Sequence, residues 1–293
     1  MEFRGAFTAL VTPFSGGEID EDRYRELIEW QIGQKIHGLV PCGTTGESAT
    51  LSHAEHKRVI RICVEQVGGR VPVLAGAGSN NTREAVDLTR EAKEAGADGA
   101  LLITPYYNKP TQHGLVEHFA AIAAEVALPF VVYNVPGRTS VNVLPETLAK
   151  IKKRVPQVVG VKEATGNLTQ ISDIIEYCGP DFAVLSGDDF TVLPTLAIGG
   201  VGVISVVTNI VPGLMSAMCE AFFAGDMAKA RELHYTMAPL CRGMFLETNP
   251  VPAKTALALM GKIVFEARLP MVAMLPANQD KLRAILSAAG LVS

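Results

Sequence analysis

Residues 158–165 have the sequence VVGVKEAT, a short apolar run that ends in charged and polar residues. Seven more apolar runs of this kind start at residues 7, 38, 71, 99, 129, 182 and 202. None of them alternates strictly between apolar and polar residues, as a strand with one face in water does. Near-continuous apolar runs are typical of strands covered on both faces, so we predict eight parallel strands.

Segments with helical spacing separate these runs, so strand and helix alternate along the chain. Eight such pairs predict an α/β protein of the (β/α)8 TIM barrel class, because an open doubly wound sheet usually has fewer strands. From residue 225 onward the pattern is helical only. We therefore predict a catalytic barrel over residues 1–224 and a small C-terminal helical region over 225–293.

The composition excludes several functional classes. Apolar residues make up 48% of the chain, and the net charge is −4, so a basic surface for nucleic acid or for an anionic membrane is not expected. The uncharged stretch from Phe190 to Cys219 is long enough to span a bilayer, but repeated Pro and Gly residues interrupt it. We predict a short helix, a buried strand and the start of another helix there.

The cysteines and the N-terminal segment predict a location for the protein. Five widely spaced cysteines without a C-x-x-C pair are typical of buried thiols in a reducing compartment. The first residues have neither the basic segment nor the cleavage site of a secretory signal, which favours the cytoplasm.

Polar residues follow several predicted strands, at the end of a barrel where active sites lie. In chain order they are Thr44, Thr45 and Glu47, then Tyr106 and Tyr107, then Tyr133, Asn134 and Arg138, then Lys162 and Glu163, then Gly187 and Asp188.

Lys162 is the most informative of these residues because it lies inside a strand that we expect to be buried. A buried amine is paired, stripped of water, or used covalently. Pairing with Glu163 is disfavoured, since adjacent strand residues point to opposite faces. A desolvated lysine amine can form an imine with a carbonyl substrate.

Three further features have both a functional and a structural interpretation. Tyr133 ends the neighbouring strand, where its phenol could move protons near Lys162 or simply close an apolar strand. The turn GTTGES at residues 43–48 could hold a carboxylate through hydroxyl and N–H groups, or be an ordinary Gly-rich turn. Arg138 could bind a carboxylate with two donors, or be an exposed loop residue.

Motifs for common cofactors are absent from the sequence. It contains no phosphate-binding P-loop, no complete dinucleotide fingerprint and no H-E-x-x-H spacing. A metal-dependent aldolase is therefore disfavoured, and we predict that the protein needs neither a metal nor an organic cofactor.

The motifs GTTGES, PYYNKP, YNVPGRT and VGVKEATGN together resemble those of dihydrodipicolinate synthases, within the pyruvate-dependent Schiff-base aldolases and lyases. The resemblance covers essentially the whole chain. It implies that pyruvate forms an imine with Lys162 and then reacts with L-aspartate 4-semialdehyde, giving 4-hydroxy-tetrahydrodipicolinate on the route to diaminopimelate and lysine. It also implies a homotetramer built as a dimer of dimers.

The resemblance assigns roles to individual residues. The implied catalytic residues are Lys162, Tyr133, Thr44 and, from a neighbouring subunit, Tyr107. The implied substrate-binding residues are Thr45 for the pyruvate carboxylate, Arg138 for the semialdehyde carboxylate, and Gly187 and Ile204 through their backbone carbonyls.

Feedback inhibition by L-lysine is a further property of many members of this family. The implied effector site comprises Ser48, Ala49, His53, His56, Asn80, Glu84 and Tyr106. A structural interpretation stays open, because Asn81 and Glu84 have the spacing of a capping box at a helix start.

Two other functions remain possible at this point. Sialic acid lyases and keto-deoxy-sugar-acid aldolases share the barrel, the lysine and the tyrosine, although Arg138 and the double threonine favour the synthases. A pyruvate-binding regulator without catalytic activity would keep the barrel but would turn over no aldehyde.

Overall fold

The computed structural model describes residues 3–293. The strands are β1 (Gly5–Ala9), β2 (Phe14–Ser15), β3 (Glu18–Ile19), β4 (Gly38–Val40), β5 (Leu74–Gly76), β6 (Gly99–Ile103), β7 (Phe130–Asn134), β8 (Val158–Glu163), β9 (Ala183–Ser186) and β10 (Gly202–Ser205). All eight predicted strands are present, and each is short and almost entirely buried.

The helices lie mostly between these strands, as the sequence predicts. They are α1 (Glu21–Gly33), α2 (His53–Val67), α3 (Thr82–Glu94), α4 (Gln112–Glu125), α5 (Pro136–Thr139), α6 (Pro145–Arg154), α7 (Leu168–Cys178), α8 (Val192–Ala197), α9 (Pro212–Phe223), α10 (Met227–Gly243), α11 (Val251–Leu259) and α12 (Pro276–Ala288). Two 3₁₀ turns cover Ser48–Thr50 and Val207–Asn209.

Eight strands form one sheet in the order β4-β1-β10-β9-β8-β7-β6-β5, so each strand lies beside its nearest barrel strand in sequence. The registered pairs within this sheet are parallel. This order, with helices between the strands, is that of a (β/α)8 barrel and confirms the predicted fold class. Helices α10, α11 and α12 complete the chain as predicted.

The chain divides into two compact units. One contains residues 3–5 and 72–204, with β5 to β9, and we call it the Lys162 unit. The other contains residues 6–71 and 205–293, with β4 and α9 to α12, and we call it the Thr45 unit. The C-terminal helices thus belong to the same unit as residues 6–71, and this division does not follow residue 225. The boundary at 224 stays a prediction.

Local details differ from the sequence prediction in three places. The antiparallel pair β2 and β3 was not predicted, because its strands are two residues long and its turn depends on positive φ at Gly16 and Gly17. The segment Pro136–Thr139, expected as a loop, is the short helix α5. The predicted capping box of Asn81 and Glu84 is wrong, because the Asn81 N–H donates to Ser79 Oγ and not to the Glu84 carboxylate.

Other predictions about chain segments are confirmed. The stretch from Phe190 to Cys219 contains α8, β10 and the first part of α9. Among the described residues 3–293, none of the helices combines the length and the apolar character needed to cross a membrane. The five cysteines are all buried, and none of them forms a disulfide within residues 3–293.

Candidate active site

Lys162 lies on β8 and is buried, with 5% of its surface exposed. In the register of the sheet it is the direct partner of Tyr133 on β7. Partners in register point to the same face, and the Lys162 Nζ lies 4.2 Å from the centroid of the Tyr133 ring. The predicted proximity of the amine and the tyrosine is therefore confirmed.

Glu163 points away from Lys162 and has its own set of partners. Its carboxylate is fully buried and accepts hydrogen bonds from Asn134 Nδ2 at 2.8 Å, Gln170 Nε2 at 3.0 Å and the Thr165 N–H at 2.8 Å. Neutral amides thus satisfy this buried carboxylate. Within the described chain, no ion pair joins Lys162 and Glu163, as the alternation of strand side chains predicts.

Gly187 leaves space for the Lys162 side chain. Its N–H donates to the Glu163 carbonyl at 2.7 Å, which continues the pairing of β8 and β9. A Cβ atom added to Gly187 would lie 2.6 Å from the Ala164 Cβ and 3.1 Å from the Lys162 Cε. Any larger residue would therefore push against the lysine. Ile204, the other residue expected to line the pocket with its backbone, is fully buried on β10.

Arg138 lies on α5, the short helix directly after β7, and is exposed. The Thr139 hydroxyl stabilises this turn by donating to the Val141 carbonyl at 3.0 Å and accepting from the Val141 N–H at 3.2 Å. Arg138 follows Tyr133 by five residues and therefore lies on the segment that leaves the carboxyl end of β7.

Tyr106 and Tyr107 lie in the loop after β6. The backbone of this loop is held by Asn80 Nδ2, which donates to the Tyr106 carbonyl at 3.0 Å, and by Asn108 Nδ2, which donates to the Asn80 carbonyl at 2.9 Å. Tyr107 has a φ of 73° and is 88% exposed. A large aromatic side chain is thus presented to solvent on a strained, well-anchored backbone.

The Thr45 unit contains the GTTGES turn, which follows β4. Hydrogen bonds from the Gly46 N–H to the Gly43 carbonyl and from the Glu47 N–H to the Thr44 carbonyl, both at 3.1 Å, close it. Glu47 has a φ of 55°, in the left-handed region. Thr45 is 2% exposed, while Thr44 is half-buried. This turn is therefore strained and tightly closed.

A buried ion pair anchors this turn to the C-terminal helices. The Lys254 Nζ, on α11, donates to Glu47 Oε1 at 2.5 Å, and both side chains are almost inaccessible to water. The Arg268 N–H donates to the other Glu47 oxygen at 3.1 Å. Burial lowers the pKa of Lys254, while the neighbouring Glu47 opposes that shift.

Sequence reasoning did not identify Lys254, Arg268 or Asn249, whose amide Nδ2 donates to Thr45 Oγ1 at 2.9 Å. All three lie more than 200 positions after the turn. One signal was present: Lys254 is the only charged residue in the otherwise uncharged segment of α11.

The residues of the predicted effector site lie in both units. Ser48 and Ala49 are in the 3₁₀ turn after the GTTGE sequence, and His53 and His56 are in the first turn of α2, which a Ser52–Glu55 capping box opens. In the Lys162 unit, Asn80 contacts the Tyr106 carbonyl, and the Glu84 carboxylate accepts from Ser79 Oγ.

Comparison with known proteins identifies the family. The model of the dihydrodipicolinate synthetase family matches residues 2–289. The chain belongs to the dihydrodipicolinate synthetase family. Lys162, Tyr133 and the GTTGES turn therefore lie in a lyase of this family.

Relatives of the dihydrodipicolinate synthetase family are similar over their whole length. The 4-hydroxy-tetrahydrodipicolinate synthase of Nitratidesulfovibrio vulgaris strain Miyazaki F is 73% identical over 292 residues, which cover 100% of both chains. The chloride-inhibited dihydrodipicolinate synthase of Acinetobacter baumannii complexed with pyruvate is 42% identical, with a TM-score of 0.97 over 99% of this chain and 100% of that one. The enzyme of Cyanidioschyzon merolae with lysine bound is 40% identical, with a TM-score of 0.96 over 99% of both chains.

Proposed function

We propose that this lyase condenses pyruvate with L-aspartate 4-semialdehyde and releases 4-hydroxy-tetrahydrodipicolinate, a step of diaminopimelate and lysine biosynthesis. The observation that carries the proposal is the buried Lys162 amine, 4.2 Å from the Tyr133 ring, in a chain 73% identical to a 4-hydroxy-tetrahydrodipicolinate synthase. A buried amine next to a phenol is suited to imine formation and to proton transfer.

The protonated imine formed on Lys162 is the electron sink of the reaction. The Lys162 amine adds to the keto carbon of pyruvate, and loss of water gives a protonated imine. This imine takes up the electron pair when the methyl group loses a proton, and the resulting enamine attacks the aldehyde carbon. The semialdehyde amine then replaces the lysine at the former keto carbon, which closes the ring and frees Lys162. These reaction steps need neither a metal nor an organic cofactor.

Seven further residues assist this chemistry in our proposal. Tyr133, Thr44 and the Tyr107 of a neighbouring subunit relay protons. Thr45 binds the pyruvate carboxylate and Arg138 that of the semialdehyde, while the carbonyls of Gly187 and Ile204 line the pocket. The 88% exposure of Tyr107 supports a role at an interface, because a tyrosine that serves its own subunit's buried site would be covered.

Trapping of the imine tests the proposal directly. Borohydride in the presence of pyruvate should add one pyruvate-derived mass to the peptide containing Lys162 and inactivate the enzyme. The Lys162→Arg variant should not be labelled. The Lys152→Arg variant, which changes a lysine whose Nζ donates to the Cys178 carbonyl at 2.6 Å, should be labelled like the wild type. Labelling at another lysine would refute the assignment.

Substrate choice is tested by comparing rates. With pyruvate held constant, turnover of aspartate semialdehyde should exceed cleavage of sialic acid or of keto-deoxy sugar acids by orders of magnitude. Arg138→Ala should reduce use of the semialdehyde while trapping of pyruvate on Lys162 continues. Equal loss of both steps would mean that Arg138 has only a structural role.

We also propose that L-lysine inhibits the enzyme through Ser48, Ala49, His53, His56, Asn80, Glu84 and Tyr106. The Glu84 carboxylate is suited to an ammonium group, and the Asn80 amide lies next to Tyr106 in the same loop as Tyr107. A coupled assay with L-lysine should show inhibition that D-lysine does not reproduce and that Glu84→Gln removes. Equal effects of both enantiomers would contradict a specific site.

Assembly and location complete the proposal. We expect a cytoplasmic homotetramer of two tight dimers. The exposed Tyr107 supports the oligomer, and five buried cysteines outside disulfides support a reducing compartment. Sedimentation at working concentrations should give a mass near four times 31.2 kDa.

A further inference from the structure

The Thr45 hydroxyl has a defined direction of hydrogen bonding. It accepts a bond from Asn249 Nδ2 at 2.9 Å, and both residues are buried, at 2% and 4% exposure. The two residues belong to the same unit. Among the described residues 3–293, Thr45 Oγ1 makes no second hydrogen bond.

This direction follows from the chemistry of the two groups. An amide NH₂ can only donate, whereas a hydroxyl has one hydrogen to donate and two lone pairs that accept. By accepting from Asn249, the Thr45 oxygen uses a lone pair and keeps its hydrogen. The hydroxyl is thus prepared as a donor for an anionic acceptor.

The segment that begins at Asn249 also contacts the GTTGES turn at a second residue. Five residues after Asn249, Lys254 makes its buried ion pair with Glu47, two residues after Thr45. Two side chains of the turn, those of Thr45 and Glu47, are therefore held by Asn249 and Lys254. These contacts limit the movement of the Thr45 hydroxyl.

We propose that Asn249 is a positioning residue that orients the Thr45 O–H toward the carboxylate of pyruvate. This inference rests on the proposed function, in which Thr45 binds that carboxylate. Asn249 touches the hydroxyl and not the substrate. Its role is specific to the pyruvate half of the reaction.

The Asn249→Asp substitution keeps the shape of the side chain and reverses the hydrogen bond. A carboxylate only accepts, so the Thr45 O–H would turn toward the introduced carboxylate and present a lone pair to pyruvate. Loss of one hydrogen bond to a charged group should raise the pyruvate KM about 10- to 100-fold. The semialdehyde KM and kcat should change less than about 3-fold, because those steps do not depend on this bond. Asn249→Ala should have a smaller effect than Asn249→Asp.

A matched control separates orientation from simple loss of structure. Asn209 is also buried in the Thr45 unit, where its Nδ2 donates to the Ala9 and Val206 carbonyls at 2.8 and 3.0 Å. Asn209→Asp should lower the melting temperature without a selective change in the pyruvate KM. If Asn209→Asp and Asn249→Asp change the kinetics in the same way, Asn249 has no positioning role.

A double-mutant cycle gives the decisive result. Asn249→Asp should act on the pyruvate KM in the wild type and in Thr45→Ser, which keeps the hydroxyl. It should add less than about 2-fold in Thr45→Val, which has none. An equal effect in all three backgrounds would overturn the proposal. If the Asn249→Asp variant does not fold, the same cycle with Asn249→Ala gives the answer.

Borohydride trapping distinguishes a failure of the role of Asn249 from a failure of the proposed function. The pyruvate concentration that half-saturates borohydride trapping at Lys162 is measured in each variant. A wild-type enzyme that does not trap pyruvate refutes the proposed function itself. A wild-type enzyme that traps pyruvate, together with an Asn249→Asp variant of unchanged half-saturation, refutes only the role of Asn249.

Discussion

Removal of the Lys254 charge should destabilise the protein strongly. The Lys254 Nζ is 2.5 Å from Glu47 Oε1, and the side-chain exposures are 0% and 3%. Lys254→Met preserves most of the volume, so the cost comes mainly from a buried carboxylate that has lost its cation. Such losses destabilise by about 3–5 kcal/mol. We expect Lys254→Met to lower the free energy of unfolding by about 3 kcal/mol, because the Arg268 N–H still donates to Glu47.

A second substitution reveals the origin of this cost. Glu47→Gln should destabilise the wild type, since it leaves the buried Lys254 ammonium without the carboxylate that pairs with it. In the Lys254→Met background the same change should stabilise the protein by at least about 1 kcal/mol, because it removes the stranded charge. The effect of Glu47→Gln on the free energy of unfolding thus has opposite signs in the wild type and in Lys254→Met.

The assay is urea unfolding at pH 7 and fixed protein concentration, followed by the fluorescence of Trp30, the single tryptophan. Lys229→Met is the control, because Lys229 forms an exposed ion pair with Glu232 at 3.0 Å and should contribute less than about 0.5 kcal/mol. The reasoning is refuted if Lys254→Met costs no more than Lys229→Met, or if Glu47→Gln destabilises both backgrounds.

Three other predictions test separate features. Gly187→Ala places a Cβ 3.1 Å from the Lys162 Cε, so pyruvate trapping should slow at least about tenfold; unchanged trapping would contradict this packing. Burial lowers the pKa of His118 from 6.5 to about 4, so stability present above pH 6.5 should fall toward pH 4, and His118→Gln should flatten that slope in unfolding curves. Mixing inactive Tyr107→Phe and Lys162→Ala subunits should restore about a quarter of wild-type activity, since half of the dimers are mixed and each has one complete site; no recovery after subunit exchange would place Tyr107 in its own subunit's site.

Much of the fold was predictable because buried parallel strands leave a strong sequence signal. Near-continuous apolar runs located all eight strands, and the polar residues at their ends indicated Lys162 and Tyr133. Their contact follows from register and from the short distance between neighbouring strands, both of which are local properties. The hairpin of β2 and β3 was missed because two-residue strands carry no periodicity.

The support of the site was not predictable in the same way. Asn249 and Lys254 meet the GTTGES turn across 204 and 207 positions, and no local pattern encodes such a contact. Glu84 shows a different, local error: its spacing from Asn81 predicted a capping box, but Ser79, five positions before Glu84, donates to its carboxylate and accepts from the Asn81 N–H. The tertiary partners of the turn were therefore missed, and one of two equally local partners of Asn81 was assigned wrongly.

The ion pair of Glu47 has a consequence for how the protein is made. The turn is translated early, yet Lys254 and the Arg268 backbone that secure it follow 207 and 221 positions later. On the ribosome, a nascent chain therefore carries an unsecured Glu47 through most of its synthesis. The turn acquires its native anchors only when nearly the whole polypeptide has emerged.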